Sequence, residues 1–128
     1  MIGMNKEQAW QKFWSSFGLT AYDESTVPTG KNAPSFPYLT YNVIVGSFDD
    51  PVFPSVSLWY RSSSWKDVTE KSNEISAAIG YGGVLVPYDG GAIWIKRGSP
   101  FAQRSSDDSD DMIRRIYINI EAEFWSAD

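Results

Sequence analysis

Charged side chains are concentrated in one stretch of the chain, RSSDDSDDMIRR, which begins at Arg104. Its acids and bases are Arg104, Asp107, Asp108, Asp110, Asp111, Arg114 and Arg115. Closely spaced carboxylates are the ligands that Ca²⁺ takes in an EF-hand loop. If Asp107 is the first residue of such a loop, Met112 stands where the turn needs glycine and Ile118 where a bidentate glutamate is needed. The stretch therefore does not match a calcium site.

Two interpretations of this charged stretch remain open. Its acids repel one another, so it can simply be a solvated surface loop. The segment 98–113 has no clear periodicity, however, and it is longer than most connections between secondary-structure elements, which indicates a functional loop. The seven charged residues are therefore the candidate functional residues.

The sequence contains no histidine and no cysteine. This removes the commonest general base, the usual metal-binding nitrogen and every thiolate. Two carboxylates facing each other across a cleft remain possible, but no spacing indicates such a pair. Gly82-Gly83 and Gly90-Gly91 are typical of turns rather than of a phosphate-binding loop. We expect no catalytic, metal-binding or cofactor-binding residues, and a protein that is not an enzyme.

The length and charge of the chain set further limits. At 128 residues one domain spanning 1–128 is expected. The formal net charge of −5 provides no general attraction for a phosphate backbone, so sequence-specific nucleic-acid binding is not expected. The first residues lack the pattern of a signal peptide, and no stretch approaches the ~20 apolar residues of a membrane span. These features predict a soluble chain, and the absence of cysteine suits a chain made in a reducing compartment.

Two amphipathic helices are predicted. The first covers residues 6–17, because Asn5 and Gln8 have the spacing of a capping box and Gly18 is typical of a helix end. The second begins after Ser64, with Asp67 in its first turn, and ends near Gly80. Its apolar face comprises Trp65, Val68, Ile75, Ala78 and Ile79.

Alternation of apolar and polar residues predicts the strands. It is strictest over 115–124, where the residues expected in the core are Ile116, Ile118, Ile120, Ala122 and Phe124. Strands are also predicted over 38–48, 55–61, 84–88 and 92–97, as two hairpins, whereas the proline-containing segment 20–37 is predicted to be a long loop. The resulting fold is an α+β domain, an antiparallel sheet of about five strands packed with two helices.

The six tryptophans divide into two groups. Trp10, Trp14 and Trp65 occupy helical core positions. Trp59, Trp94 and Trp125 lie opposite the core face of their predicted strands, where they suit a second packing layer or a subunit interface.

Three stretches of the sequence resemble a family of small phage proteins. They are PSFPYLTYNV at 34–43, SLWYRSSSW at 57–65, and GGAIWIKRGSPFAQR leading into DDSDDMIRRIYINIEAEF at 90–124. The chain is similar to the tail-terminator-like family of long-tailed bacteriophages, which caps the tail tube and joins it to the head. The order of predicted elements is also similar.

The resemblance implies a structural virion protein of the phage or prophage tail, assembled in the host cytoplasm. Its partners would be further copies of itself in a ring, typically a hexamer, the tail tube protein and the head completion or connector protein. DNA would pass through the central hole without specific binding. In such a ring the seven charged residues would lie at a subunit interface or at the lumen. An alternative is a monomeric module that binds carbohydrate or protein with exposed aromatic residues.

Overall fold

The computed structural model describes residues 3–44, 50–107 and 109–126. These residues form six strands and two α-helices, joined in part by two short 3₁₀ turns. In chain order they are α1 (Lys6–Ser15), β1 (Thr20–Asp23), β2 (Tyr38–Tyr41), β3 (Ser55–Arg61), α2 (Lys66–Ile79), β4 (Val84–Tyr88), β5 (Gly91–Ser105) and β6 (Ile113–Ser126).

All six strands belong to one sheet, in the order β1-β2-β3-β6-β5-β4. β1 is parallel to β2, and every other neighbouring pair is antiparallel. The α+β class is confirmed, and the strands of both predicted hairpins pair as expected. The sheet, however, is mixed rather than antiparallel, and it has six strands rather than about five. The additional strand is β1, which lies inside the predicted loop 20–37.

β1 was not predicted because it has only four residues, TAYD. This is too few for the alternation of a strand to be recognised. It owes its conformation to pairing with β2, with Thr20 opposite Tyr38 and Asp23 opposite Tyr41. Tertiary pairing here outweighs the weak local preference of the segment.

The predicted strand 38–48 ends at Tyr41, and its residues 45–48 lie outside the described part of the chain. Asn42 accounts for the end of the strand. Its backbone N–H donates to the Ser55 carbonyl at 3.2 Å, but its side-chain Oδ1 accepts the Ser55 N–H at 2.8 Å. Because the side chain replaces the backbone carbonyl as acceptor, the regular ladder does not continue.

Much of the predicted loop 98–113 is strand. β5 continues to Ser105, and its register against β6 shifts between Arg97 and Ala102. This irregularity inserts extra residues on one strand and interrupts the alternation that would have indicated a strand. The connection between β5 and β6 is therefore only the seven residues 106–112, which we call the acidic turn.

The helices confirm the predicted positions with small corrections. Asn5 and Gln8 form the capping box of α1, which ends at Ser15 rather than at Phe17 because Ser16 donates both its N–H and its hydroxyl to the Phe13 carbonyl. Trp65, not Ser64, is the N-cap residue of α2, although the Ser64 hydroxyl oxygen accepts the Lys66 N–H. Ala78 is exposed instead of facing the core.

One face of the sheet packs on both helices and forms the core. The five residues predicted from the alternation of β6 are buried, and Ile118 is completely inaccessible. Trp10 and Trp14 are also buried, whereas Trp65 is only partly buried. Since α1 contacts both edge strands, β1 and β4, the sheet curls around this helix. The opposite, convex face has neither helix against it, and we call it the outer face.

Candidate functional site

The acidic turn is organised by its own carboxylates. Asp107 accepts hydrogen bonds from the backbone N–H and the hydroxyl of Ser109, at 2.8 and 2.5 Å. These bonds hold the pKa of Asp107 below its usual range. Asp108 lies outside the described residues. Asp111 is exposed, and its backbone carbonyl accepts a hydrogen bond from Arg114 Nη1.

Asp110 ties the acidic turn to the sheet. One of its carboxylate oxygens accepts the Met112 N–H at 2.9 Å, and the other accepts Arg61 Nε, also at 2.9 Å. The Met112 N–H and then the Arg61 side chain lower the pKa of Asp110. Arg61 was not among the predicted bases. It lies opposite Ile113 in the ladder of β3 and β6, which places it beside the start of the acidic turn.

The three predicted arginines point to different sides of the sheet. Arg104 and Arg114 lie on the helix side, where their guanidinium carbons are 4.6 and 5.4 Å from the centre of the Trp65 ring. The Nε of Arg114 is buried and has no hydrogen-bond partner among the described residues. Arg115 lies on the outer face, because neighbouring residues of a strand point to opposite sides. The predicted set is therefore not one site within a single copy of the chain.

A row of aromatic rings crosses the outer face on the side of β1, β2 and β3. We call this group the aromatic face, and it comprises Tyr22, Phe36, Tyr38, Trp59, Arg115 and Tyr117. Tyr38 and Trp59 are opposite each other in the ladder, and their rings are stacked with centroids 5.9 Å apart. The Trp59 Nε1 donates to the hydroxyl of Thr40 at 2.9 Å.

Arg115 is held rigidly within this row. Its guanidinium carbon lies 4.4 Å from the centre of the Trp59 ring and 5.7 Å from that of Tyr117. Its Nε and Nη2 both donate to the Ser57 hydroxyl, at 3.1 and 3.0 Å. Arg115 forms no ion pair with any carboxylate in the described part of the chain. A stacked, hydrogen-bonded guanidinium of this kind can receive a carboxylate or phosphate with little loss of side-chain entropy.

A second group lies on the same face near the edge formed by β4. Lys96 Nζ is 4.1 Å from the centre of the Trp94 ring and 2.6 Å from a Glu121 carboxylate oxygen. The rings of Trp94 and Trp125 have their centroids 5.6 Å apart. Here the cation already has a carboxylate partner, whereas Arg115 has none among the described residues.

Two hollows lie on the described surface. A cleft of about 560 Å³ lies beside the register shift of β5, next to Phe53, Pro100 and Asn119. An apolar groove of about 280 Å³ separates α1 from β4, between Phe13 and Val86. Among the described residues, no three carboxylates are grouped closely enough to hold a metal ion. Neither described helix has the length and apolar content needed to cross a bilayer.

Comparison with known proteins finds no matching family model, no matching curated sequence and no matching solved structure.

Sequence reasoning identified the outward tryptophans. Trp59, Trp94 and Trp125 were predicted to point away from the core, and all three do so. Of these, Trp59 belongs to the aromatic face. Tyr38 was missed, although its position next to the buried Leu39 in a predicted strand carried the necessary signal. Tyr22 was missed because β1 itself was not predicted.

Proposed function

We propose that this chain is a structural subunit of a phage tail, a tail terminator that caps the tail tube as a ring and presents a surface for head attachment. The observation that carries the proposal is the aromatic face, a row of mutually contacting aromatic and Arg side chains with neither helix over it. Tyr, Trp and Arg are the residues enriched where proteins bind one another. The resemblance of three long stretches to the tail-terminator-like family is the reason for proposing a phage tail as the assembly.

The proposed partners are other copies of the chain, the tail tube protein and a head completion or connector protein. The proposed location is the virion tail after assembly in the host cytoplasm. DNA would pass through the ring without specific binding, which is consistent with the net charge of −5. No catalytic step and no cofactor form part of the proposal.

The alternative, a monomeric module that binds carbohydrate or protein through exposed aromatic residues, is favoured by the same rings. Sugars stack on an accessible ring face, however. Tyr38 on β2 and Arg115 on β6 lie on opposite sides of Trp59, since β3 runs between those strands. The Trp59 ring therefore has a neighbour on each side, and this arrangement supports a protein partner over a sugar.

The oligomeric state of the purified protein tests the proposal directly. We expect light scattering to give a mass of several chains, and electron micrographs to show rings, either in solution or at the ends of tail tubes from the phage that encodes the chain. A protein that remains monomeric and does not bind tail tubes would contradict the proposal. Binding of an oligosaccharide by such a monomer would support the alternative.

The acidic turn offers a second test, which distinguishes an interface from a lumen position. Asp107, Asp108 and Asp111 are replaced with Ser, while Asp110 is retained because it pairs with Arg61. Loss of rings would indicate pairing with bases of a neighbouring copy. Intact rings with a reduced yield of infectious particles would indicate a lumen wall whose negative charge keeps DNA from adhering. If both measurements are normal, the turn is solvated surface.

A further inference from the structure

The core is incompletely covered along the edge of the sheet that β4 forms. Ile93 and Ile95 on the neighbouring strand β5 point to the helix side and are fully buried. Val86 and Val84 lie opposite them in the ladder and point to the same side, but both are only partly buried. Phe13 on α1, across the apolar groove from Val86, is also partly buried. Apolar surface of the core therefore remains accessible in this groove.

The edge of β4 carries unpaired backbone groups beside the groove. Tyr88 and Gly91 flank the two-residue turn to β5, so they bond to each other, and every second residue of β4 before Tyr88 also directs its backbone groups to β5. Leu85 and Pro87, at the intervening positions, direct theirs away from the sheet. Neither residue has a hydrogen-bond partner in the described part of the chain. An extended segment of another chain can add to such an edge as a further strand.

The chain itself already uses one end of this edge. The Asp89 N–H, which follows Leu85 and Pro87 in the outward series, donates to the Met4 carbonyl at 2.7 Å. Pro87 has no N–H, which prevents a long ladder. The groups that remain are the N–H and C=O of Leu85 and the C=O of Pro87. They suffice for an added strand of about three residues.

The other edge strand of a second copy does not suit this place. β1 has Ala21 and Asp23 on its inward side, because they lie opposite the buried Leu39 and Tyr41 in β2. A methyl group would leave the groove largely empty, and a carboxylate would be costly to bury against apolar side chains. The occupant therefore needs a larger apolar residue than β1 offers.

We propose that a short extended segment of a partner protein pairs with the edge of β4 and inserts a large apolar side chain into the groove between α1 and β4. Side chains alternate along a strand, so an inward residue of the added segment lies over Val86 and Phe13. The groove has a volume of about 280 Å³, and its lining is apolar apart from Lys12 and Ser16. Backbone bonds hold the segment, and the groove selects its side chain. The site is separate from the aromatic face and does not depend on the proposed ring.

Nuclear magnetic resonance with designed peptides tests the pairing in the wild-type chain. The probe is a capped seven-residue peptide in which leucine alternates with threonine. We expect a saturable shift of the Leu85 amide proton, and nuclear Overhauser contacts from the leucine methyl groups to Phe13 and Val86. Absence of the Leu85 shift, or contacts only with other parts of the protein, would overturn the inference.

Two modified peptides separate the contributions of the edge and the groove. A peptide with N-methyl groups in place of alternate N–H groups cannot donate to the Leu85 carbonyl. A peptide with alanine in place of leucine leaves the groove unfilled. We expect each to bind at least about tenfold more weakly than the probe. Equal binding of all three peptides would contradict strand addition at this edge.

Val86→Lys and Leu85→Lys are matched variants on opposite sides of the same strand. Val86 lines the groove, whereas the Leu85 side chain is 55% exposed on the outer face. We expect V86K to weaken binding of the leucine peptide at least about tenfold and L85K to leave it unchanged, with circular dichroism confirming that both fold. Equal loss in the two variants would contradict the groove. Self-association that V86K abolishes, without any peptide binding, would assign the edge to a second copy and overturn the inference.

Discussion

At the scale of single residues, Asp110 shows that the charged stretch makes contacts outside itself. The sequence shows four acids bracketed by three bases. Asp110 instead pairs with Arg61, which is 49 positions away in the chain. The pairing of β3 with β6 brings the two residues together. Sequence distance could not reveal this contact, because it depends on the strand order of the finished sheet.

The pKa of Asp110 gives a measurable consequence. Its folded-state pKa lies below the ordinary value of 3.8, so the carboxylate contributes stability above that pH and loses the contribution as the pH falls through the lower folded value. We expect a carbon NMR titration to give a midpoint below 3.8 for Asp110. In Arg61→Gln the midpoint should rise but stay lowered, because the Met112 N–H remains. A wild-type midpoint at or above 3.8 would contradict the described turn.

Ile118 tests the register of the sheet. It is fully buried, opposite Val56 in β3 and Ala102 in β5. Ile118→Asp places an unpaired charge in the core, and we expect a loss on the order of 5 kcal/mol, comparable with the whole stability of a domain. Leu85→Asp is the control, since Leu85 is also a strand residue but is 55% exposed. Equal melting temperatures for the two variants would show that the register is wrong.

At the scale of elements, β6 and α1 could be predicted because each carries a complete local signal. β6 alternates strictly, and α1 has both a capping box and helical spacing. β1 and the outer half of β5 could not be predicted. β1 is too short to display a period, and the register shift after Arg97 changes which side each later residue faces. In the candidate site, alternation predicted that the three tryptophans point outward. The contact between Trp59 and Arg115 could not be predicted, because it depends on which strands are neighbours in the sheet.

At the start of β5, next to the turn from β4, the backbones of β5 and β6 approach each other closely. Gly91 lies opposite Ser126, and a Cβ built on it would lie 1.8 Å from the Trp125 carbonyl oxygen. Gly91→Ala should therefore force β5 and β6 apart and destabilise the chain by about 1–3 kcal/mol. Gly82→Ala is the matched control, because nothing lies within 4 Å of its Cβ position. Urea unfolding of both variants measures the difference, and equal midpoints would be inconsistent with this close approach.

At the scale of the whole molecule, the two faces of the sheet have different roles. The concave side curls around α1 and holds the core, which accounts for the burial of Trp10 and Trp14. The outer side holds Lys96, paired with Glu121, in one half, and in the other half Arg115, which lies among aromatic rings and forms no ion pair with a described residue. Under the proposed function, substitutions on opposite sides of the same strands should alter stability and association separately.

The central position of β6 has a consequence for synthesis on the ribosome. β6 pairs with β3 on one side and with β5 on the other, although it is the last of the six strands to be made. Until it emerges, β4 and β5 can form a hairpin, but nothing joins them to β3 in the final sheet. Non-local strand pairing of this kind delays folding. We expect a nascent chain arrested before Ile113 to be cleaved rapidly by protease, and one that exposes β6 through a linker to resist. Equal resistance of the two would mean that the sheet forms without its central strand.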